Sequence, residues 1–249
     1  MEPDYQTEWQ GISFSSITKM NDHELADDKF YNNFYVALFN KYNSFNELSE
    51  TWKKQKYEIA NWLHNFIEPH TKVLSVGCGL GYIEYSLINN FNKLSNFYVS
   101  DFATQSYKWL KKVMPENNFL HPDDIINSKQ KFDLIYFSGV DYALTNSSII
   151  TMLSNYRNNL NDNGSCILIS ASFIHKSSYI KKFKKRLMNL IKTVIYKLYK
   201  KSKVKGQFWG WRRNRKEYQD LIQNSGFSSF KDGFIENSKE NIYYIIAFK

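Results

Sequence analysis

From about Asp22 the apolar positions fall at helical spacing. Phe30, Phe34, Leu38 and Phe39 recur every three or four residues, with Tyr31 and Tyr35 beside them, and predict a first helix. A second runs through Trp52, Ile59, Trp62, Leu63 and Phe66, with Ser44 or Asn46 as its cap and Pro69 as its stop. The period then changes. Residues 72–76 form a short apolar run that ends in Gly77, Gly79 and Gly81, and a helix with Ile83, Leu87 and Ile88 on its buried side follows. Strands are predicted at 96–101, 119–120, 132–137 and 166–170, with helices at 107–113 and 147–160 between them, the latter stopped at Asn163-Gly164. After a basic stretch come a helix at 217–224, closed by Gly226, and two strands at 227–235 and 241–248. Residues 1–20 read as a polar tail or cover strand. Alternating strands and helices imply a mostly parallel sheet covered on both faces.

A strand, a glycine turn and a helix form a unit with chemical meaning. Glycines let the backbone turn tightly and touch a nucleoside-type ligand where a side chain would collide. Asp101 follows Gly81 by twenty residues, at the tip of the second strand, where a carboxylate can accept both ribose hydroxyls. A dinucleotide site asks for Gly-x-Gly-x-x-Gly, and Tyr82 or Ile83 stands where the third glycine belongs. Residues 73–81 instead closely resemble the first motif of class I S-adenosylmethionine-dependent methyltransferases, and the resemblance extends over roughly residues 70–170 and 217–249. It implies an α/β, Rossmann-like fold: a seven-stranded, mostly parallel sheet with an antiparallel last strand and helices on both faces. It also implies S-adenosyl-L-methionine as cofactor. Gly77, Gly79 and Gly81 then match the cofactor loop, Asp101 the ribose-binding acid, Asp123 or Asp124 the residue near the adenine amine, and Ser138 and Gly139 the loop along the methionine portion. One departure stands out: the family usually has an acid where this chain has Ser75, and Glu84 is either its replacement or an ordinary first-turn helix acid.

The acceptor is narrowed by what is missing. The fourth strand runs into Phe137-Ser138-Gly139-Val140-Asp141-Tyr142, not the Asn/Asp-Pro-Pro-Tyr/Phe signature of enzymes that methylate exocyclic or amide nitrogens. Neither Cys78 nor Cys166 stands in a Pro-Cys pair, and the five histidines lack metal-ligand spacing, so no metal site is expected. An oxygen, or an amine, of a small-molecule, glycan or lipid-linked acceptor is the leading reading. An RNA methyltransferase and a catalytically silent cofactor-binding subunit are the alternatives. Candidate catalytic groups are Asp141 and Tyr142, just past the fourth strand, and His175, just past the fifth, each weighed against capping or packing roles. Tyr31 and Tyr35 are placed either to close over the cofactor or to pack in the core.

With 249 residues, 43% of them apolar, the chain is large enough to bury a substantial core. Two cysteines cannot build a disulfide framework, and no signal peptide or apolar run of about 18 residues is seen, so a soluble cytoplasmic protein is expected. The net charge of +9 is unevenly spread. Sixteen of the 33 basic residues and none of the 24 acids lie between Asn163 and Lys216, which leaves the remainder acidic on balance. The chain is therefore divided into a helical N-terminal cover (1–69), a core (70–175 and 217–249) and a basic amphipathic insert (176–216). Three roles compete for the insert: a cap over the substrate pocket, a peripheral contact with anionic membrane, and a track for nucleic-acid phosphates, expected in that order. Arg212 and Arg213 would either hold a phosphate of a lipid-linked or nucleotide-linked acceptor or form structural pairs.

Overall fold

The computed structural model describes residues 1–92, 96–175, 206–237 and 240–249. Three short strands, β1 (Glu2–Gln6), β2 (Glu8–Trp9) and β3 (Ile12–Ser13), precede the helices α1 (Asp28–Lys41) and α2 (Glu50–Leu63). The Asp27 carboxylate accepts from the Phe30 amide at 2.8 Å, which starts α1 six residues later than the apolar spacing suggested. Next come β4 (Val73–Val76), α3 (Tyr82–Phe91), β5 (Phe97–Ser100), α4 (Pro122–Asn127), β6 (Phe132–Ser138), α5 (Asn146–Asn158) and β7 (Leu160–Ile169). Beyond residue 205 follow β8 (Gln207–Arg212), α6 (Arg215–Asn224), β9 (Ser229–Ile235) and β10 (Ile242–Phe248).

Six strands form the central sheet, in the order β5-β4-β6-β7-β10-β9. The first four are parallel, and β10 lies antiparallel to both β7 and β9. The seventh strand expected at 119–120 is reduced to one parallel bridge from Phe119 to Val99, with the Leu120 amide on the Val99 carbonyl at 2.9 Å. A 3-10 turn at Glu116–Asn118 ends immediately before it and Pro122 opens α4 two residues after it, so no room remains for a ladder. The helix expected at 107–113 is likewise two 3-10 turns, Thr104–Lys108 and Leu110–Lys112.

Alternation along the strands divides the core between two faces. Tyr136 and Ile167 turn toward α2 and α3, against Ile59, Leu63 and Leu87. Ile135 and Leu168 turn toward α4, α5 and α6, against Ile125, Leu153 and Leu221. A third cluster joins α1 and the N-terminal strands to Trp209 of β8. β8 pairs antiparallel with β1, so residues 207–212, at the end of the span assigned to the insert, are knitted to the start of the chain. The amphipathic stretch at 177–201 lies outside the described residues. Among the described residues no helix is long and apolar enough to cross a membrane.

Phe14 is the centre of the third cluster: fully buried, it stacks on Trp209 at 5.1 Å and meets Phe30 edge-on at 5.0 Å. Phe14→Ala is expected to lower the unfolding free energy by about 3–5 kcal/mol in urea titrations. A loss under about 1 kcal/mol would mean that the N-terminal segment is not integral to the fold.

Candidate active site

The strand order reverses at β4, with β5 on one side and β6 on the other, and ligands of open α/β sheets bind outside the carboxyl ends at such a point. A cleft of about 1030 Å³ opens there, floored by the loops leaving β4, β5, β6 and β7 and roofed by α1, α2 and Trp209. Its floor begins with the glycine loop, in which Gly77, Gly79 and Gly81 all have positive φ. Gly77 is the tightest position. A Cβ there would stand 2.3 Å from a Val140 methyl, so the loops after β4 and β6 touch only because residue 77 has no side chain.

Asp101 ties this loop to the end of β5. One carboxylate oxygen accepts from the Gly79 amide at 2.8 Å and the other from the Ala103 amide at 2.9 Å. The Tyr107 hydroxyl holds the Asp101 backbone on both sides, accepting from its amide at 2.6 Å and donating to its carbonyl at 3.0 Å. Burial raises the Asp101 carboxyl to about 6, against the pull of those two amides. The carboxylate nevertheless lines the cleft. Phe102 beside it is 55% exposed and meets Tyr31 edge-on at 5.5 Å, an apolar surface at the rim.

Ser75 and Glu84 form one unit. Both the Ser75 and the Tyr136 hydroxyls donate to Glu84 Oε1 at 2.6 Å, so α3 brings a carboxylate beneath the strand end where Ser75 has none. Burial raises the Glu84 carboxyl, and its second oxygen is buried with no hydrogen-bond partner. Ser138 Oγ, on the cleft floor, is also buried and unpartnered. Left-handed glycines in the loop, and Glu84 and Ser138 oxygens that have no hydrogen-bond partner among the described residues, are what a nucleoside–amino acid ligand would require.

The other candidates divide. Gly139 and Tyr142 line the cleft, as do Tyr31 and Tyr35, and the Tyr35 hydroxyl hangs over Gly79. The Tyr31 and Tyr142 hydroxyls lie 3.1 Å apart, and burial lifts Tyr31 to about 12 and Tyr142 well above its ordinary value. These phenols are neutral hydrogen-bonding groups at neutral pH. Asp123 and Asp124 point to solvent from the first turn of α4, and Pro122 and Ile126 supply the cleft wall at that place. The His121 ring caps α4 by accepting from the Asp123 amide at 3.3 Å.

Asp141 is fully buried and faces away from the cleft. Its carboxylate accepts from the Ser170 and Ser172 hydroxyls at 3.0 and 3.1 Å, from the Ala171 amide at 3.2 Å and from the Tyr218 hydroxyl. Arg213, also fully buried, donates to the carbonyls of Asp141 and Leu144 and to the Asn146 side chain. Asp141 therefore locks the turn after β6 to β7 and α6, buried away from an acceptor, and Arg213 is structural. His175 is carried off by the bridge between Phe173 and Arg213; it packs on Phe173 and Phe234, 3.6 Å from Glu240, outside the cleft. Sequence reasoning missed Lys56, Phe102 and Trp209. Lys56 was legible, since positions 52, 56, 59 and 63 share one face of α2 and only one of them is charged.

No known family and no curated protein matches the sequence. Solved structures do. A protein assigned as an O-methyltransferase from Nostoc punctiforme PCC 73102 superposes with a TM-score of 0.55 at 14% identity, over 88% of this chain and 60% of its own. Magnesium protoporphyrin IX methyltransferase from Synechocystis PCC 6803, with bound SAH (S-adenosylhomocysteine), gives 0.53 at 14%, over 91% and 89%. Human N-acetylserotonin methyltransferase in complex with SAM gives 0.51 at 12%, over 90% and 56%. The chain thus spans about three fifths of the first of these and has the Rossmann-like fold they share.

Asp141→Ala, which strips the carboxylate from Ser170, Ser172 and Tyr218 and removes a charge that supports buried Arg213, is expected to cost about 3–5 kcal/mol of stability. Tyr142→Phe, which removes only the bond to Tyr31, should cost about 1 kcal/mol. Equal effects in thermal and urea unfolding would contradict the division drawn between them.

Proposed function

We propose that this chain is an S-adenosylmethionine-dependent methyltransferase acting on an oxygen of a small-molecule acceptor. The observation that carries the reading is Asp101, a buried carboxylate fixed by the Gly79 amide yet facing the cleft beside a loop whose three glycines all have positive φ. The fold shared with three methyltransferases, two of them holding SAM or SAH, supports it. In this reading Asp101 accepts the ribose hydroxyls, Gly77–Gly81 bears on the nucleoside, and Ser138 and Gly139 bear on the methionine end. Pro122, Ile126 and Phe102 give the adenine an apolar seat. The cofactor supplies a methyl group on a sulfonium, already activated, so the protein's task is alignment of the acceptor. The Glu84 carboxylate beneath Ser75 weighs against the silent-subunit alternative, since the family's missing acid has a replacement. Aromatic walls from Trp9, Trp52, Tyr142 and Trp209 suit a compact apolar acceptor better than a nucleic acid.

Calorimetric titration with SAH tests this. Asp101→Ala should weaken binding at least tenfold, because a charge-assisted hydrogen bond is worth about 1.5–3 kcal/mol. The pH dependence has a definite sign. Folding raises the Asp101 carboxyl from its ordinary 3.8 to about 6, so ionising it costs the free protein stability as pH rises through that window. The ribose hydroxyls bond the ionised form, so SAH affinity should fall by about tenfold per pH unit below 6. Affinity that is flat from pH 7 to 5, or unchanged in Asp101→Ala, would refute the assignment.

A further inference from the structure

Among the described residues that line the cleft, Lys56 is the only basic side chain, against the carboxylates of Asp4 and Asp101. It projects from the stripe of α2 that otherwise reads Trp52, Ile59, Leu63, and its ammonium comes within 4.0 Å of the place a Gly139 Cβ would occupy. It makes no hydrogen bond or ion pair with any described residue. The charges that act on it are Glu84, whose Oε1 is taken by two hydroxyls, and Asp141, whose carboxylate is bonded to Ser170, Ser172, Tyr218 and the Ala171 amide. Burial pulls the Lys56 pKa down, and those two carboxylates partly restore it. An unpaired, half-buried ammonium is costly to keep. A group retained at such a cost, on a face that would otherwise be apolar, is explained by a ligand of opposite charge.

Its position says which end of the cleft that ligand occupies. Gly139 packs against Ala171, at the seam between β6 and β7. Asp101 lies at the end of β5, beyond β4. With strands about 4.8 Å apart, the seam is roughly 10 Å or more from the ribose anchor, at the methionine end of the cofactor and toward the acceptor beyond it. Among the described groups at this end, Tyr31 and Tyr142 are held protonated, Cys78 is a thiol raised by burial, and Asp141 and His175 point elsewhere, while Asp4 reaches the cleft from β1 opposite Gly210.

We propose that Lys56 binds an acceptor that already carries an ionised oxygen, a carboxylate or an acidic phenolate on an aromatic or similarly flat apolar body. This rests on the methyltransferase reading above and adds the substrate class to it. The acceptor oxygen forms the bond to the methyl carbon, the carbon–sulfur bond breaks with its electron pair going to sulfur, and no proton has to leave. An acceptor that arrives ionised needs no base. Lys56 is then a binding residue that pairs with the oxygen before transfer.

The test compares naphthalene-2-carboxylate with naphthalene-2-carboxamide, of the same shape but different charge, in titrations of the SAH-saturated full chain. The carboxylate is expected to bind at least tenfold more tightly. Lys56→Met should abolish that preference, Lys56→Arg should keep most of it, and both should bind SAH within threefold of the parent. Removing an unpaired ammonium should leave the thermal midpoint of Lys56→Met unchanged or raised, which separates lost recognition from lost folding. Equal binding of the two probes, or no binding of either at millimolar concentration, overturns the proposal. So does a tenfold loss of SAH affinity in Lys56→Met, which would assign the ammonium to the cofactor's own carboxylate. If the parent chain binds no SAH, the methyltransferase reading is what fails, and the probe comparison on the free protein still decides whether Lys56 selects an anion.

Discussion

The site depends on one carboxylate held between two amides. Asp101 bonds Gly79 on one side and Ala103 on the other, and so joins the loop leaving β4 to the chain leaving β5 at the point where strand order reverses. The bond is made in a buried place, and the raised Asp101 pKa measures what that burial costs. Two neighbouring constraints make it possible. Gly77 lets the same loop lie against Val140, and the Tyr107 hydroxyl satisfies the Asp101 backbone that the turn would otherwise strand.

Around this lock the polar residues divide by task. Asp141, Arg213 and Tyr218 form a buried network that faces inward and fixes the turn after β6. Asp101, Ser138 and Lys56 face the cleft and keep unspent hydrogen-bonding capacity. The aromatic roof explains how the second group is tolerated. Phe14, Phe30 and Trp209 bind the N-terminal segment over the cleft, and a charge interaction is stronger where less water reaches it.

The glycine loop, Asp101 and the alternation of strands and helices were legible because their signals are local: a period change, three glycines and a fixed interval. The reduced third strand was not, because the 3-10 turn before it and Pro122 after it set its length more than its two apolar residues do. Asp141 shows the limit most clearly. Its place after β6 was readable, but its direction is set by Ser170, Ser172 and Tyr218, residues 29 to 77 positions away. The solvent-facing direction of Asp123 and Asp124 depends on the start of α4, where His121 is the cap. Lys56 was visible as a charge on an apolar stripe, yet helix periodicity attends to the residues that fit the pattern and passes over the one that breaks it.

The central claim is that the glycine loop and Asp101 together form the cofactor site. Hydrogen–deuterium exchange with and without saturating SAH reads those amides directly. Slower exchange confined to Gly77–Gly81, Asp101–Ala103 and Ser138–Gly139 is the predicted result, with the β9–β10 hairpin unaffected. Protection elsewhere in the chain, or none in these segments at saturation, would contradict the account.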